Sequence, residues 1–456
     1  MTAAGDTPIT KEFLARFNAG NLALDCPEIT LTQCVSESPK QMKGRGIIFL
    51  RGDKFQLRMY CDHDGYDPFE GLNRWASWKS GEVIPDQDYF ALGAVDISGF
   101  HWNSSKILID RHGKDGAVAT SDFDLLTYRA EGLAQMEPHL SMYFFQEIRI
   151  PFNQYIDTTS KVGDKVLQRK MSLDQAYFEV AGLKFRFTRM KDEDIEMALA
   201  VDSTDTSFPE ALETRIEETL RYVTFKPIRC PIMDKRDGSV REVRIVPRRL
   251  MSKPLLDEPV PSSPASAGDY WRLFGQYLRH VIPYVDNEKY HPLSAQLSEL
   301  IFLGPAPLHV IGLLVSVAVE GVLRTEFSDT GKPASALVDA LTGVSKLVRR
   351  IKCVDERLKA RLAGAVEQMK NVRARDQLVA LEKKGVVSAD TVKAWTILRN
   401  TTAHASVHLD PRDVQEFWTR CNTVYTLLNR LVFKAIDYSG KYRDYSVVGW
   451  PTADFP

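Results

Sequence analysis

From Ile29 to Arg189 apolar residues fall mostly on alternate positions, whereas from Tyr270 to Ala435 they recur at every third or fourth. Alternation over short runs marks half-buried strands, and three-to-four spacing marks one face of a helix. The period changes across Lys253–Gly268, a stretch rich in Pro, Ser and Ala with no apolar rhythm, which reads as a linker. Upstream, the strand candidates are Ile29–Val35, Tyr89–Ile97, Lys106–Asp110, Phe123–Arg129 and Met142–Ile150. Two longer segments predict hairpins: Gly46–Tyr60 around Gly52-Asp53, and Tyr177–Arg189 with Gly182 at its turn. One amphipathic helix is expected at about 209–223, where Ser207 and Glu210 have capping-box spacing and Pro209 suits a first turn.

Downstream, Asp269 can cap a helix carrying Trp271, Phe274, Leu278 and Val281 on one face. Further helices are expected over Leu293–Phe302, Pro307–Glu326 and Ser388–Thr402, with two more within Ala334–Lys384. A last helix opens at Asp410-Pro411 and carries Val414, Phe417, Cys421, Val424, Leu428, Leu431 and Ala435. The expected fold class is α+β and multidomain. A β-rich antiparallel domain spans 1–252, a linker 253–268, an all-α bundle of five to seven helices 269–440 and a tail 441–456.

Composition adds mostly exclusions. A chain of 456 residues can bury two or three cores, and its net charge of −1 announces no nucleic-acid partner, so any basic surface must be local. The N-terminus has neither the basic nor the apolar region of a secretory signal. The most apolar run, Leu308–Leu323, is short for a bilayer span and contains His309 and Glu320, so a buried helix and no membrane partner are expected. Six scattered cysteines without a C-x-x-C pair argue against a disulfide framework and a cysteine-built zinc site, which points to a reducing, cytoplasmic setting. No Gly-rich phosphate loop or Gly-x-Ser-x-Gly elbow is present, and no cofactor or metal is assigned.

The candidate chemistry lies at Arg399-Asn400-Thr401-Thr402-Ala403-His404. A guanidinium matches phosphate in bidentate fashion, and an imidazole exchanges protons near neutral pH, so the pair suits metal-free transesterification of RNA. Spacing alone is weak, since Arg58 and His63 repeat it with Met59 in place of Asn. On a continuous helix Thr396, Asn400, His404 and His408 share one ridge, and Ala394, Ile397, Leu398, Thr401 and Ala405 lie toward the core. On spacing alone a solvated surface face is the favoured reading of that ridge. Local charge tips the balance: between Lys346 and Lys384 twelve Lys/Arg stand against five acids, a net +7 just upstream. Lys346, Arg349, Arg350, Arg373 and Arg375 are the candidate RNA-binding residues. His404 and His408 have zinc-compatible spacing, but Ala405 stands where a zincin needs Glu.

Arg399-Asn400-x-x-x-His404, on a penultimate helix followed by one long amphipathic helix, resembles the Arg-Asn-x(3)-His signature of the HEPN superfamily. The approach from Ala374-Arg-Asp-Gln-Leu378 through Gly385 to Trp395, with Glu320 in the apolar helix, is similar to the ApeA-type HEPN proteins of bacterial anti-phage defence. Two departures stand out: Ala405 follows the His where many relatives have Gly, and Thr396 replaces an acid or amide three before the Arg. The resemblance implies a HEPN bundle that forms a homodimer or larger homo-oligomer and cleaves RNA, tRNA included, without a metal. His404 would serve as acid or base, Arg399 would stabilise phosphoryl charge and Asn400 would orient the His. It also implies a phage-derived trigger sensed by the N-terminal domain. The alternative is a non-catalytic HEPN module that binds RNA or protein.

Overall fold

The computed structural model describes residues 7–35, 37–62, 79–112, 117–162, 165–190, 195–205, 207–249, 256–351, 355–402 and 413–456. The chain divides into two compact units. One comprises Met1–Pro209 with Arg229–Leu250, the other Glu210–Ile228 with Met251–Pro456.

The first unit is an antiparallel sheet whose described strands follow the order β10-β11-β12-β13-β9-β14-β15-β8-β5-β4-β1-β2-β3-β7-β6. In chain order these are β1 (Ala23–Gln33), β2 (Gln41–Arg51), β3 (Lys54–Cys61), β4 (Phe90–Val95), β5 (His101–Ile107), β6 (Asp110–His112), β7 (Val118–Phe123) and β8 (Leu126–Ala130). They continue with β9 (Met136–Phe144), β10 (Gln154–Val162), β11 (Lys165–Val180), β12 (Leu183–Arg189), β13 (Met197–Ser203), β14 (Ile232–Gly238) and β15 (Val240–Ile245). Both expected hairpins form. Arg51 pairs with Lys54 across Gly52-Asp53, with Gly52 at φ +63°, and Val180 pairs with Leu183 across Ala181-Gly182. The candidate over Lys106–Asp110 is instead broken: Lys106 takes φ +57° at a bulge near the end of β5, and residues 108–109 separate β5 from β6.

A helix that the alternation did not suggest, α1 (Lys11–Asn18), is capped by Thr10 and buries Phe13, Leu14 and Phe17. Phe13 stacks on Trp102, and Phe17 meets Phe145, within the core of this unit. Buried Asp234 and Arg241 pair through two hydrogen bonds of 2.9 and 2.6 Å, so neither charge is stranded in that interior.

The second unit is helical: α2 (Leu212–Thr224), α3 (Ala267–Val281), α4 (Pro292–Phe302), α5 (Leu308–Glu326), α6 (Ser335–Arg350), α7 (Glu356–Gln368), α8 (Ala374–Lys383), α9 (Ala389–Thr402) and α10 (Val414–Ala435). These nine described helices exceed the five to seven expected. Ala334–Lys384 holds three rather than two, and α2 groups here and not with the sheet. Almost every residue of α2 is buried, Arg215, Glu217 and Glu218 included, so its polar face is enclosed as well as its apolar one. Its N-cap is Ala211, with no side-chain cap from Ser207. Likewise α3 begins at Ala267, leaving Asp269 in its first turn and paired with Arg272.

The segment 256–266, read as linker, packs onto the helices. Leu256 and Val260 are buried, Tyr425 and Tyr445 donate to Asp257 O and Glu258 O, and Arg443 N donates to Pro259 O. The expected tail contains a hairpin, β16 (Gly440–Arg443) with β17 (Thr452–Phe455), whose Tyr442 and Phe455 close on Phe433. The most apolar described helix, α5, is long and apolar enough by length and composition to cross a membrane. Half of its apolar stretch is buried, and α4, α9 and α10 pack on it.

Candidate functional site

Helix α9 is seated by Thr391, Val392, Trp395 and Leu398, which are buried at helical spacing. The Trp395 indole donates to Ser316 O of α5 at 3.3 Å. This anchor rotates the core face from the one expected. Leu398 is inside, but Ile397 is 38% exposed and Thr401 faces solvent. Ala405 lies outside the described residues. The Thr401 and Thr402 hydroxyls each bond back to the carbonyl four residues earlier at 2.8 Å, which satisfies both hydroxyls within the last turn of α9.

Arg399 and Asn400 therefore stand exposed on the final turn of α9. Arg399 Nε donates to Glu320 Oε1 of α5 at 2.5 Å. Among the described residues no hydrogen bond engages its terminal nitrogens, which stay available for phosphate oxygens. Glu320 shares a face of α5 with exposed Leu313 and Val317. His404 and His408 lie outside the described residues, as does His63 of the second Arg/His spacing.

All five basic candidates are exposed. Lys346, Arg349 and Arg350 occupy the C-terminal half of α6, where cations complement the helix dipole. Arg373 and Arg375 stand at the start of α8. Helix α8, which opens with Arg373 and Arg375, packs on α9, the element carrying Arg399, whereas α6 makes its principal contacts with α7.

Two further constellations escaped the sequence reading. In the sheet, His139 Nδ1 lies 2.7 Å from Asp202 Oδ1 and His139 Nε2 lies 2.9 Å from Ser141 Oγ, the relay order of a serine hydrolase. Ser141 pairs on one side with Ala200 and on the other with Asp234, so its own backbone is committed to the ladder and offers no oxyanion donor. The trio is a cross-strand polar ladder.

In the helical unit, His280, His291 and Glu326 offer three ligand atoms within 4.8 Å of one another and are the described residues best placed to hold a metal. Burial, and then the neighbouring His280, push the His291 imidazole down to about 4. Their separations of 11 and 35 residues form no recognisable motif, and only the tertiary fold unites them. Comparisons of the chain with protein-family models, curated proteins and solved structures return no match.

Proposed function

We propose that the helical unit is a HEPN-type endoribonuclease that cleaves RNA by attack of the ribose 2′-hydroxyl, with no metal in the chemistry. Arg399 would stabilise charge on the phosphorus oxygens, His404 would transfer the proton and Asn400 would hold the imidazole or the phosphate. The observation that carries this reading is the exposed guanidinium of Arg399, set by Glu320 with its terminal nitrogens left for a ligand. Exposed Arg373 and Arg375 on the adjoining α8 supply the electrostatic attraction such a substrate requires. Leu313 and Val317 on α5 and Ile397 on α9 are exposed apolar positions beside that pair, as pairing of two copies across one composite site requires. In this reading the sheet unit senses a phage-derived trigger, and cleavage arrests the infected cell in the cytoplasm.

A non-catalytic RNA-binding role is the second reading, favoured by the engagement of Arg399 Nε with Glu320. One experiment separates them. RNA ends are mapped after induction of wild type, Arg399→Ala and His404→Ala. Cyclic 2′,3′-phosphate ends in wild type alone support the nuclease. Their absence in all three, with RNA binding weakened in Arg399→Ala, supports the binding module.

A further inference from the structure

We propose that His280, His291 and Glu326 bind a zinc-class divalent cation through two imidazole nitrogens and one carboxylate oxygen, with a fourth position open to water. The three residues converge from separate elements: the last turn of α3, the N-cap of α4 and the last residue of α5. His280 Nε2 lies 3.2 Å from Glu326 Oε2. Two ligands about 2.0–2.1 Å from one tetrahedral ion stand roughly that far apart. Yet the pair lacks hydrogen-bond alignment, and among the described residues the buried His280 Nε2 has no hydrogen-bond partner. A bare imidazole nitrogen at ligand spacing from a carboxylate is an arrangement that a shared cation relieves. The third ligand atom lies within 4.8 Å of the others, so reaching tetrahedral ligand spacing asks it to close by at most about 1.5 Å.

The donor set selects the metal. Two nitrogens and one oxygen suit zinc, cobalt or nickel, whereas magnesium and calcium require shells of oxygen. Three protein ligands leave one position to solvent.

The surroundings hold His291 in place. Arg215 Nη2 donates to Asp286 O at 2.6 Å and Lys289 O at 2.7 Å, fastening the loop between α3 and α4. Glu218 Oε1 accepts the His291 backbone N–H at 3.1 Å, and its Oε2 accepts from the Ser294 hydroxyl at 2.8 Å. The guanidinium is itself neutralised by Glu218 at 2.7 Å, which limits its repulsion of a cation. Such outer contacts fix the direction a ligand presents. His291 Nδ1 accepts the Leu293 N–H at 3.2 Å, which places the proton of the neutral ring on Nε2. Ligation through either nitrogen ends that bond: Nδ1 exchanges the N–H for the cation, and Nε2 moves the ring proton to Nδ1.

The test uses the full chain, treated with chelator and titrated with Co²⁺ while its visible absorption is recorded. Wild type is expected to saturate at one cobalt per chain with a tetrahedral spectrum that zinc displaces. His280→Gln, His291→Gln and Glu326→Gln are each expected to lower affinity by more than the roughly 10–100-fold that losing an outer-shell partner costs. The double variant His404→Ala/His408→Ala is expected to bind as wild type does. Absence of saturable binding in wild type, or undiminished binding in folded His280→Gln, overturns the site. Circular dichroism in chelator reports folding of each variant. Should one fail to fold, zinc X-ray absorption of wild type decides: two imidazoles with a carboxylate support the site, and a sulfur ligand or a single imidazole overturns it.

Discussion

The Nε of Arg399 and the Oε1 of Glu320, 2.5 Å apart, tie the last turn of α9 to α5. The two side chains are 48% and 36% exposed, a setting in which an ion pair contributes about 0–1 kcal/mol. Its consequence is orientation rather than stability, since a guanidinium held by Nε points its two terminal nitrogens one way. Glu320→Gln is therefore expected to change unfolding free energy by less than about 1 kcal/mol and, under the proposed nuclease reading, to lower kcat for RNA cleavage on the order of tenfold with KM little altered. Urea denaturation and steady-state kinetics check both halves. A rise in kcat would instead make Glu320 a clamp that restrains Arg399.

The second prediction concerns Arg215 and Glu218, both fully enclosed. Burial raises the Glu218 carboxyl above its ordinary range, outweighing the Arg215 charge and the hydrogen bonds from Ser294 and His291. Removing one partner of such a pair strands the other charge. Glu218→Ala is expected to lower unfolding free energy by about 3–5 kcal/mol, and the double variant Arg215→Met/Glu218→Leu to recover only part of it, because Asp286 O, Lys289 O and the His291 backbone N–H then lose their partners. Denaturant titrations of the three proteins measure the difference.

Local patterns and long-range ones were unequally legible. The hairpin turning at Gly52-Asp53 and the helices α4, α5 and α9 follow from turn chemistry and apolar period, which a short window contains. The pairing of β9 with β13 and β14, and of β15 with β8, joins strands distant in sequence, which no window contains. Helix α2 misled because its buried ions satisfy one another, Arg215 with Glu218 and Arg221 with Glu217, so its charges imitate a solvated face. At the candidate site the residue types Arg399 and Asn400 were legible, but the partner Glu320 is 79 residues away and the outward aim of Ile397 depends on where Trp395 docks. His280, His291 and Glu326 carry no local signal at all.

The third prediction is chemical. Burial pushes the thiols of Cys26 and Cys421 up to about 12, with the nearby carboxylates Asp96 and Asp25 adding to the effect at Cys26. At pH 8 a thiol so shifted is ionised to about one part in 10⁴, and the thiolate is the reactive form. Brief iodoacetamide treatment of the native protein at pH 8 is expected to modify half-buried Cys34 and to spare Cys26 and Cys421. Full modification of all three is expected only in denaturant. Mass mapping of peptides reads the pattern, and early labelling of Cys421 would contradict the packing of α10 on α5.

The close approach of α5 to α9 and α10 rests on Gly312. A Cβ there would sit 3.0 Å from Leu398 Cδ1, 3.0 Å from Phe417 Cζ and 3.3 Å from Cys421 Sγ. Gly343 on α6 has a helical backbone too, but a Cβ there would meet nothing within 4 Å. The two glycines thus differ in space rather than in local conformation. Gly343→Ala is expected to stabilise by about 0.5–1 kcal/mol through backbone entropy. Gly312→Val is expected to destabilise by about 1–3 kcal/mol, because the added methyls displace side chains that seat α9. Since Leu398 precedes Arg399 directly, the same substitution should also reduce the proposed RNA cleavage, and Gly343→Ala should leave it unchanged. Equal stability effects at the two positions would show that α5 does not carry the tight contact on which the placement of Arg399 depends.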